Sequence, residues 1–319
     1  MVCDDASGGV PYLILMLCRL DDGCYEALCS QLETCALVSL ASTCKQLHDH
    51  DASCGGQNTK AGRLGARLRD LARRLGEDPW QRLTTTLGTI NWSDRGLGAV
   101  DARCLAWLCL FQPANVRAMH LLLEGENLGA FQLQALLPSS GATYWTPSEF
   151  RTRRTLGPVS ITFVTVMIKR NTTLTSITLG NSLYEDGALN IVRAARQHDK
   201  LTSLGLALCD IGPSGAKEVA EYVSSSTVLK RLVLSSNQIK DEGAIALSKA
   251  LKSNTTLEEL KLDNCGIGAE GGKALASALL EGGMGLNKLD MGYNGCYEAK
   301  PDLRDAIQGR KRFELFLPY

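Results

Sequence analysis

The sequence predicts an α/β solenoid, in which copies of one strand-and-helix unit stack side by side. Three observations point there. Leucines opening a common pattern stand at Leu174, Leu201, Leu229, Leu257 and Leu286, at intervals of 27, 28, 28 and 29 residues. Within each unit, apolar side chains follow three and five residues after the first, the alternation of a short strand with one buried face. A helical spacing then follows, as in Ala244, Leu247, Ala250 and Leu251. Such a unit, clearest from Leu229 to Leu257, cannot bury its own apolar face and needs copies of itself on both sides.

Eight residues after the opening leucine, the units carry Ser182, Cys209, Asn237, Cys265 and Asn294; a further apolar residue follows at Leu183, Ile211, Ile239 and Ile267. The side chain at this position turns inward at a strand end, where it must satisfy main-chain groups or pack as a small apolar plug. With L-x-x-L-x-L-x-x-N-x-I across 229–239, the chain resembles the leucine-rich-repeat family, in its longer, ribonuclease-inhibitor-like subtype. The resemblance is clear over 174–296 and implies an open horseshoe with parallel strands on the concave side and helices on the convex side.

Upstream, Ala118, Leu121, Leu123 and Leu128 repeat the strand pattern, with Leu133, Leu136 and Leu137 in helical positions. Counting back from Leu174 by one period starts the intervening copy near Thr146. There the strand half (Thr146, Glu149, Arg151) is too polar for a core, so an irregular loop is expected over 138–155. A further copy opens at Leu87, with Ile90, Trp92 and Leu97 before a helix through Leu105 and Leu108. The solenoid is thus expected to span 83–296 in about eight repeats. Residues 297–319 form a C-terminal cap, with a helix start at Pro301-Asp302 and a last strand in the terminal FELFLPY.

The N-terminal part differs. From Leu20 to His50, apolar residues at Leu28, Leu32, Leu37, Leu40, Ala41, Cys44 and Leu47 recur at helical spacing, broken at Glu33-Thr34. This stretch of about 30 residues resembles an F-box and marks 1–52 as an F-box-like helical region. Leu20 takes its opening leucine, Leu28 and Leu32 its first helix, and Leu37, Leu40, Ala41, Cys44, Lys45 and Leu47 its second; Asp21 replaces the usual proline. The resemblance implies that Leu20, Leu28, Leu32, Leu37 and Leu40 bind the adaptor of a cullin-type ubiquitin ligase; a generic helical cap is the alternative. Residues 53–82 hold a polar linker and a basic amphipathic helix, with Leu64, Leu68, Leu71 and Leu75 on one face and Arg63, Arg67, Arg69, Arg73 and Arg74 on the other. This helix is expected to cover the open end of the solenoid, its arginine stems lying over apolar surface. A membrane or calmodulin-type contact is its other reading.

Composition narrows the function classes. The 319 residues carry 34 basic and 34 acidic side chains, so no net attraction to nucleic acid or an anionic membrane follows. The apolar run 12–18 is too short to span a bilayer. Twelve cysteines include seven in the first 54 residues, yet none forms a C-x-x-C pair, and the extreme N-terminus is acidic (Asp4, Asp5) rather than basic. Reduced, mostly buried thiols in the cytosol or nucleus are expected, with an N-terminal zinc module the minor alternative. His48-Asp49-His50-Asp51 offers no second ligand cluster, so no metal site is assigned.

Other motifs dissolve in the repeat. Gly266-Ile267-Gly268-Ala269-Glu270-Gly271 has the G-x-G-x-x-G form, but in the neighbouring units only the last glycine recurs, at Gly215 and Gly243. Asn171-Thr172-Thr173 and Asn254-Thr255-Thr256 are sequons at equivalent turns and Asn91-Trp92-Ser93 a third; all are expected unmodified. No nucleophile elbow, zinc-protease or phosphate-loop motif appears, and His48, His50, His120 and His198 have no partner pattern. The reading is non-enzymatic, with no cofactor and no metal.

By period two, residues two, four and six positions after each opening leucine face the concave side. These are His120, Leu122 and Glu124; Ser176, Thr178 and Gly180; Ser203, Gly205 and Ala207; Arg231, Val233 and Ser235; Glu259, Lys261 and Asp263; and Lys288, Asp290 and Gly292. The middle is small and plain. The C-terminal third, with Arg231, Val233, Glu259, Lys261, Asp263, Lys288, Asp290 and Tyr293, has the composition of a selective protein-binding face. The expected protein is a monomeric binding module, read first as a substrate receptor of a cullin-type ligase. Repeats of this length also resemble those of GTPase activators and tropomodulin, so a regulator of a small GTPase or of actin is the second reading. A plain scaffold or innate-sensor fragment is the third.

Overall fold

The computed structural model describes residues 70–318 apart from 94, 112–115, 118–119, 124–130, 138–139, 146–155, 180–182 and 283–284. The adaptor-binding set Leu20, Leu28, Leu32, Leu37 and Leu40, the His48–Asp51 run and most of the irregular 138–155 stretch therefore lie outside the described residues.

The predicted strand frame holds from Leu174 onward. Strands β5 (Ser176–Thr178), β6 (Ser203–Gly205), β7 (Arg231–Val233), β8 (Glu259–Lys261) and β9 (Lys288–Asp290) pair in parallel, each with the next. Their central residues Ile177, Leu204, Leu232, Leu260 and Leu289 lie in register and are fully buried. Between them run helices α4 (Glu185–Ala195), α5 (Pro213–Ser225), α6 (Lys240–Ser253) and α7 (Ala269–Glu281), whose inner faces close the second layer of the core. Beyond β9, the cap helix α8 (Lys300–Ala306) has Pro301 in its first turn. Strand β10 (Glu314–Phe316) then completes a seven-stranded sheet in the order β10-β9-β8-β7-β6-β5-β4, with β4 (Tyr144–Trp145) at its far edge.

The other end of that sheet corrects the sequence reading. β4 is Tyr144–Trp145, in register with Ser176 and Ile177, not a polar strand beginning at Thr146. Trp145 occupies the place of the buried strand leucine and is itself fully buried. The unit is longer than its neighbours, so counting back from Leu174 by one period stops short of the strand. Its helix α3 (Pro158–Arg170) is as expected.

Upstream, β1 (Thr89–Asn91), α2 (Ala99–Phe111) and β2 (His120–Leu122) form one repeat-like unit, with Ile90 in register with Leu121. Ile90 and Trp92 are buried, but Leu87, expected to open the pattern, is 73% exposed. After β2 the expected helix is absent. The chain returns as β3 (Phe131–Gln132), antiparallel to β2, and runs into a 3-10 turn at Gln134–Leu136. Leu133, Leu136 and Leu137 still reach the core. Helical residues 70–75 and α1 (Pro79–Thr85) close this end. Leu71 and Leu75 are buried, and Arg74 donates to both Asp101 carboxylate oxygens, at 3.0 and 2.6 Å.

Two asparagine ladders hold the turns. After each strand, Leu208, Ser236, Asn264 and Tyr293 take left-handed φ of 56°, 57°, 54° and 54°. The next residue (Cys209, Asn237, Cys265, Asn294) is buried in each case. Asn237 Oδ1 accepts the N–H groups of Cys209 and Ile211, both at 3.0 Å, while its amide donates to the carbonyls of Leu206 at 2.8 Å and Leu234 at 2.7 Å. Asn294 repeats the arrangement on Cys265 and Ile267. In the alternate units Cys209 and Cys265 donate weakly to Leu179 and Leu234 carbonyls. Main-chain groups that would otherwise be buried and unpaired are thereby satisfied.

The second ladder lies where each helix hands over to the next strand. Asn254 Oδ1 accepts from Thr256 N–H at 3.0 Å and Leu257 N–H at 2.8 Å, and its amide donates to the Val223 carbonyl at 2.7 Å. Asn171 does the same for Thr173 and Leu174 and donates to Leu136. Both sequon asparagines are buried with their amide nitrogens hydrogen-bonded to main-chain carbonyls.

Candidate protein-binding face

The strand register stacks the outward residues of β7 to β10 into rows. One row reads Arg231, Glu259, Lys288 and Glu314, and the next reads Val233, Lys261, Asp290 and Phe316. In the first row the signs alternate, and neighbours on adjacent strands stand close enough to pair. Arg231 Nε donates to Glu259 Oε2 at 2.7 Å, and Lys288 Nζ lies 2.8 Å from Glu314 Oε2. Lys261 Nζ reaches the other Glu259 oxygen at 3.8 Å. Glu314 holds the Lys288 ammonium above the ordinary lysine range, chiefly through that hydrogen bond. Ser235 Oγ donates to Asp263 Oδ1, and Asp290 Oδ1 accepts the Gly292 N–H at 3.0 Å.

All eight predicted face residues are thus described and lie on one continuous surface. Arg231 is exposed, and Val233, Glu259, Lys261, Asp263, Lys288 and Asp290 are partly exposed. Tyr293, at the strand edge, is 74% exposed. Sequence reasoning missed Glu314 and Phe316, although it expected a terminal strand. Phe316 is 48% exposed and lies under the Lys288 ammonium, 5.5 Å from the ring centre. The signal was the ELF tripeptide, whose period-two alternation extends both rows by one strand. Towards the middle, Ser176, Thr178, Ser203 and Gly205 leave the sheet plain, as expected.

The G-x-G-x-x-G turn has a structural explanation. Asp241, at the start of α6, places Oδ1 2.7 Å from Gly268 N and 2.9 Å from Gly271 N, capping the N-terminus of α7 from the preceding repeat. Glu185 caps α5 in the same way through Gly212 and Gly215, both at 3.1 Å. A carboxylate already sits where a dinucleotide phosphate would be held. A Cβ on Gly268 would stand 2.8 Å from Asp241, so the glycines make room for the cap. The shared glycine of each helix also meets the neighbouring helix: a Cβ at Gly243 would come within 2.7 Å of Ala216 Cβ.

Of the five described cysteines, Cys109, Cys209, Cys265 and Cys296 are buried and Cys104 is partly buried. Burial pushes the Cys265 thiol up to about 12, so it holds its proton and serves as packing and weak donor. Among the described residues, no group of three or more His, Cys, Asp and Glu is placed to hold a metal ion, and no helix is long and apolar enough to cross a membrane.

The family model described as Leucine Rich repeat matches residues 198–220, 225–248 and 253–276. No curated protein matches the chain. Among solved structures, actin-binding site 2 of leiomodin-1 is similar at 20% identity, covering 45% of this chain and 85% of that one, with a TM-score of 0.40. The tropomodulin C-terminal domain of Caenorhabditis elegans is 19% identical over 45% of this chain and 89% of its own, with a TM-score of 0.41. The matched segments are the strand-turn-helix units built on Cys209, Asn237 and Cys265: residues 198–276 carry leucine-rich repeats, and the described residues fold as an α/β solenoid.

Proposed function

We propose that this chain is a non-catalytic protein-binding module whose contact surface is the C-terminal third of the concave sheet. The observation that carries the reading is the registered charge row Arg231–Glu259–Lys288–Glu314, with Lys261, Asp290, Tyr293 and Phe316 beside it, on an open sheet face. Ordinary strand surface has no need of ion pairs worth so little to folding. Fixed charges of both signs beside exposed aromatics are what selective recognition of a protein surface uses. The alternation of Asn237 and Asn294 with Cys209 and Cys265 supports the ribonuclease-inhibitor-like subtype.

The double reversal Lys261→Glu with Asp263→Lys tests the face. Capture of the main partner from lysate should be lost, while the unfolding midpoint stays within the effect of surface charge, about 1 kcal/mol. Retention of that partner by the reversed face would sink the reading. A cullin-ligase receptor would in addition require residues 20–50 to hold the adaptor, and its signature is co-purification of adaptor and cullin with the full chain.

A further inference from the structure

Between Asn171 and Asn254 in the helix-to-strand ladder the chain carries His198, 7% exposed. Its Nδ1 accepts the Lys200 N–H at 3.3 Å, the role that Asn254 Oδ1 plays for Thr256. Its Nε2 is buried and makes no hydrogen bond, while the Asn171 main chain lies close enough to act on the ring. The turn therefore accommodates a neutral ring protonated on Nε2. A second proton must go onto Nδ1, where it meets the Lys200 N–H, donor against donor. Lys200 would lose its acceptor, and the buried ring would carry an unpaired charge.

The surroundings offer little compensation. On its own turn, Asp199 favours the imidazolium and Lys200 opposes it. The end of the preceding helix carries Lys169 and Arg170, and the following turn carries the neutral Ser226 and Thr227. Among the described residues, no carboxylate from either neighbouring repeat acts on the ring.

We propose that His198 is a pH-sensitive seam between the repeats of β5 and β6: the neutral imidazole closes the turn, and protonation opens it. Beside this seam the Thr202 and Ser203 N–H groups donate to the Thr175 carbonyl, at 2.8 and 3.0 Å. In a stack where each repeat touches only its neighbours, opening here uncouples 201–318 from the repeats before it. Burial, the largest influence, draws the His198 pKa below the ordinary histidine value, and the Asn171 main chain and Asp199 only partly offset it. With the folded pKa below the unfolded one, the seam is at full strength above about pH 6.5 and weakens as pH falls towards the folded pKa. Below that value the loss is complete and levels off.

The test is amide exchange on the full chain at Lys200, Thr202 and Ser203, between pH 7.5 and 5, with intrinsic exchange chemistry removed. The opening constant should rise by up to about tenfold for each pH unit between the two pKa values. His198→Asn, which restores the ladder residue found at 171 and 254, should give a flat profile, and the His198 ring should titrate below the free-histidine value in the wild type. The same acid opening in His198→Asn, or a wild-type ring titrating at or above about 6.5, would overturn the proposal. Should His198→Asn fail to fold, His198→Gln supplies the comparison, and the wild-type ring titration decides by itself.

Discussion

Replacing Asn237 by alanine removes the most heavily used side chain of the inner ladder. Four main-chain groups lose the Asn237 side chain together, the N–H of Cys209 and Ile211 and the carbonyls of Leu206 and Leu234, of which the Leu234 carbonyl keeps only the weak Cys265 thiol. Asn237 is 1% exposed, so water cannot replace it without opening the seam. An unsatisfied buried polar group costs about 1–3 kcal/mol, but these four share one site and relax together. The expected loss is about 3–5 kcal/mol, at the top of what single substitutions do. Urea unfolding followed by far-ultraviolet circular dichroism reads it as a fall in midpoint. Asn237→Cys, the residue the chain itself uses at 209 and 265, should lose less, because a thiol still donates one weak hydrogen bond. A loss below about 1 kcal/mol for Asn237→Ala would mean that these groups find other partners and that the ladder is incidental.

Two further outcomes follow from the core. Leu232 is fully buried between Leu204 and Leu260, so Leu232→Ala should cost about 2–5 kcal/mol, and exchange protection should fall across 201–286 rather than at one strand. Gly271→Ala sets two principles against each other: helix propensity alone favours alanine by about 1 kcal/mol, whereas the added Cβ would stand 2.7 Å from both Asp241 and Ile267. Overpacking should win, with a net loss of about 1–3 kcal/mol in thermal unfolding, and a stabilised variant would refute the close approach.

The strand frame was legible because its signal is redundant: three apolar positions per unit, repeated five times, leave one register in which all are buried. Seven of the eight predicted face residues follow from that register, and Tyr293 lies in the turn beside it. Where redundancy ended, so did legibility. Trp145 was passed over because its unit is longer than the others, and a two-residue strand carries no periodicity of its own. The helix expected at Leu133, Leu136 and Leu137 was a correct core assignment on the wrong backbone, since buried leucines alone do not distinguish a helix from a strand followed by a 3-10 turn. The cross-repeat caps were out of reach for another reason: Asp241 and Gly268 are neighbours only once two repeats are stacked. A trace of them was nonetheless present, in the glycine pairs 212/215 and 268/271 that follow Glu185 and Asp241 by one unit.

The charge row on the concave sheet bears on how such a face would choose a partner. Arg231, Glu259, Lys288 and Glu314 are already matched with one another, so a partner gains little from contributing a single opposite charge. To displace Arg231 from Glu259, it must replace both halves of the pair, since burying either charge alone is strongly unfavourable. A surface that supplies one sign only is therefore rejected, and one that presents both signs at the strand spacing is accepted. Net attraction at a distance is small, because the row cancels itself and the whole chain is neutral. Discrimination on this face would then lie in dissociation rather than encounter, with the exposed Tyr293 and Phe316 supplying apolar contact that charges so evenly paired do not.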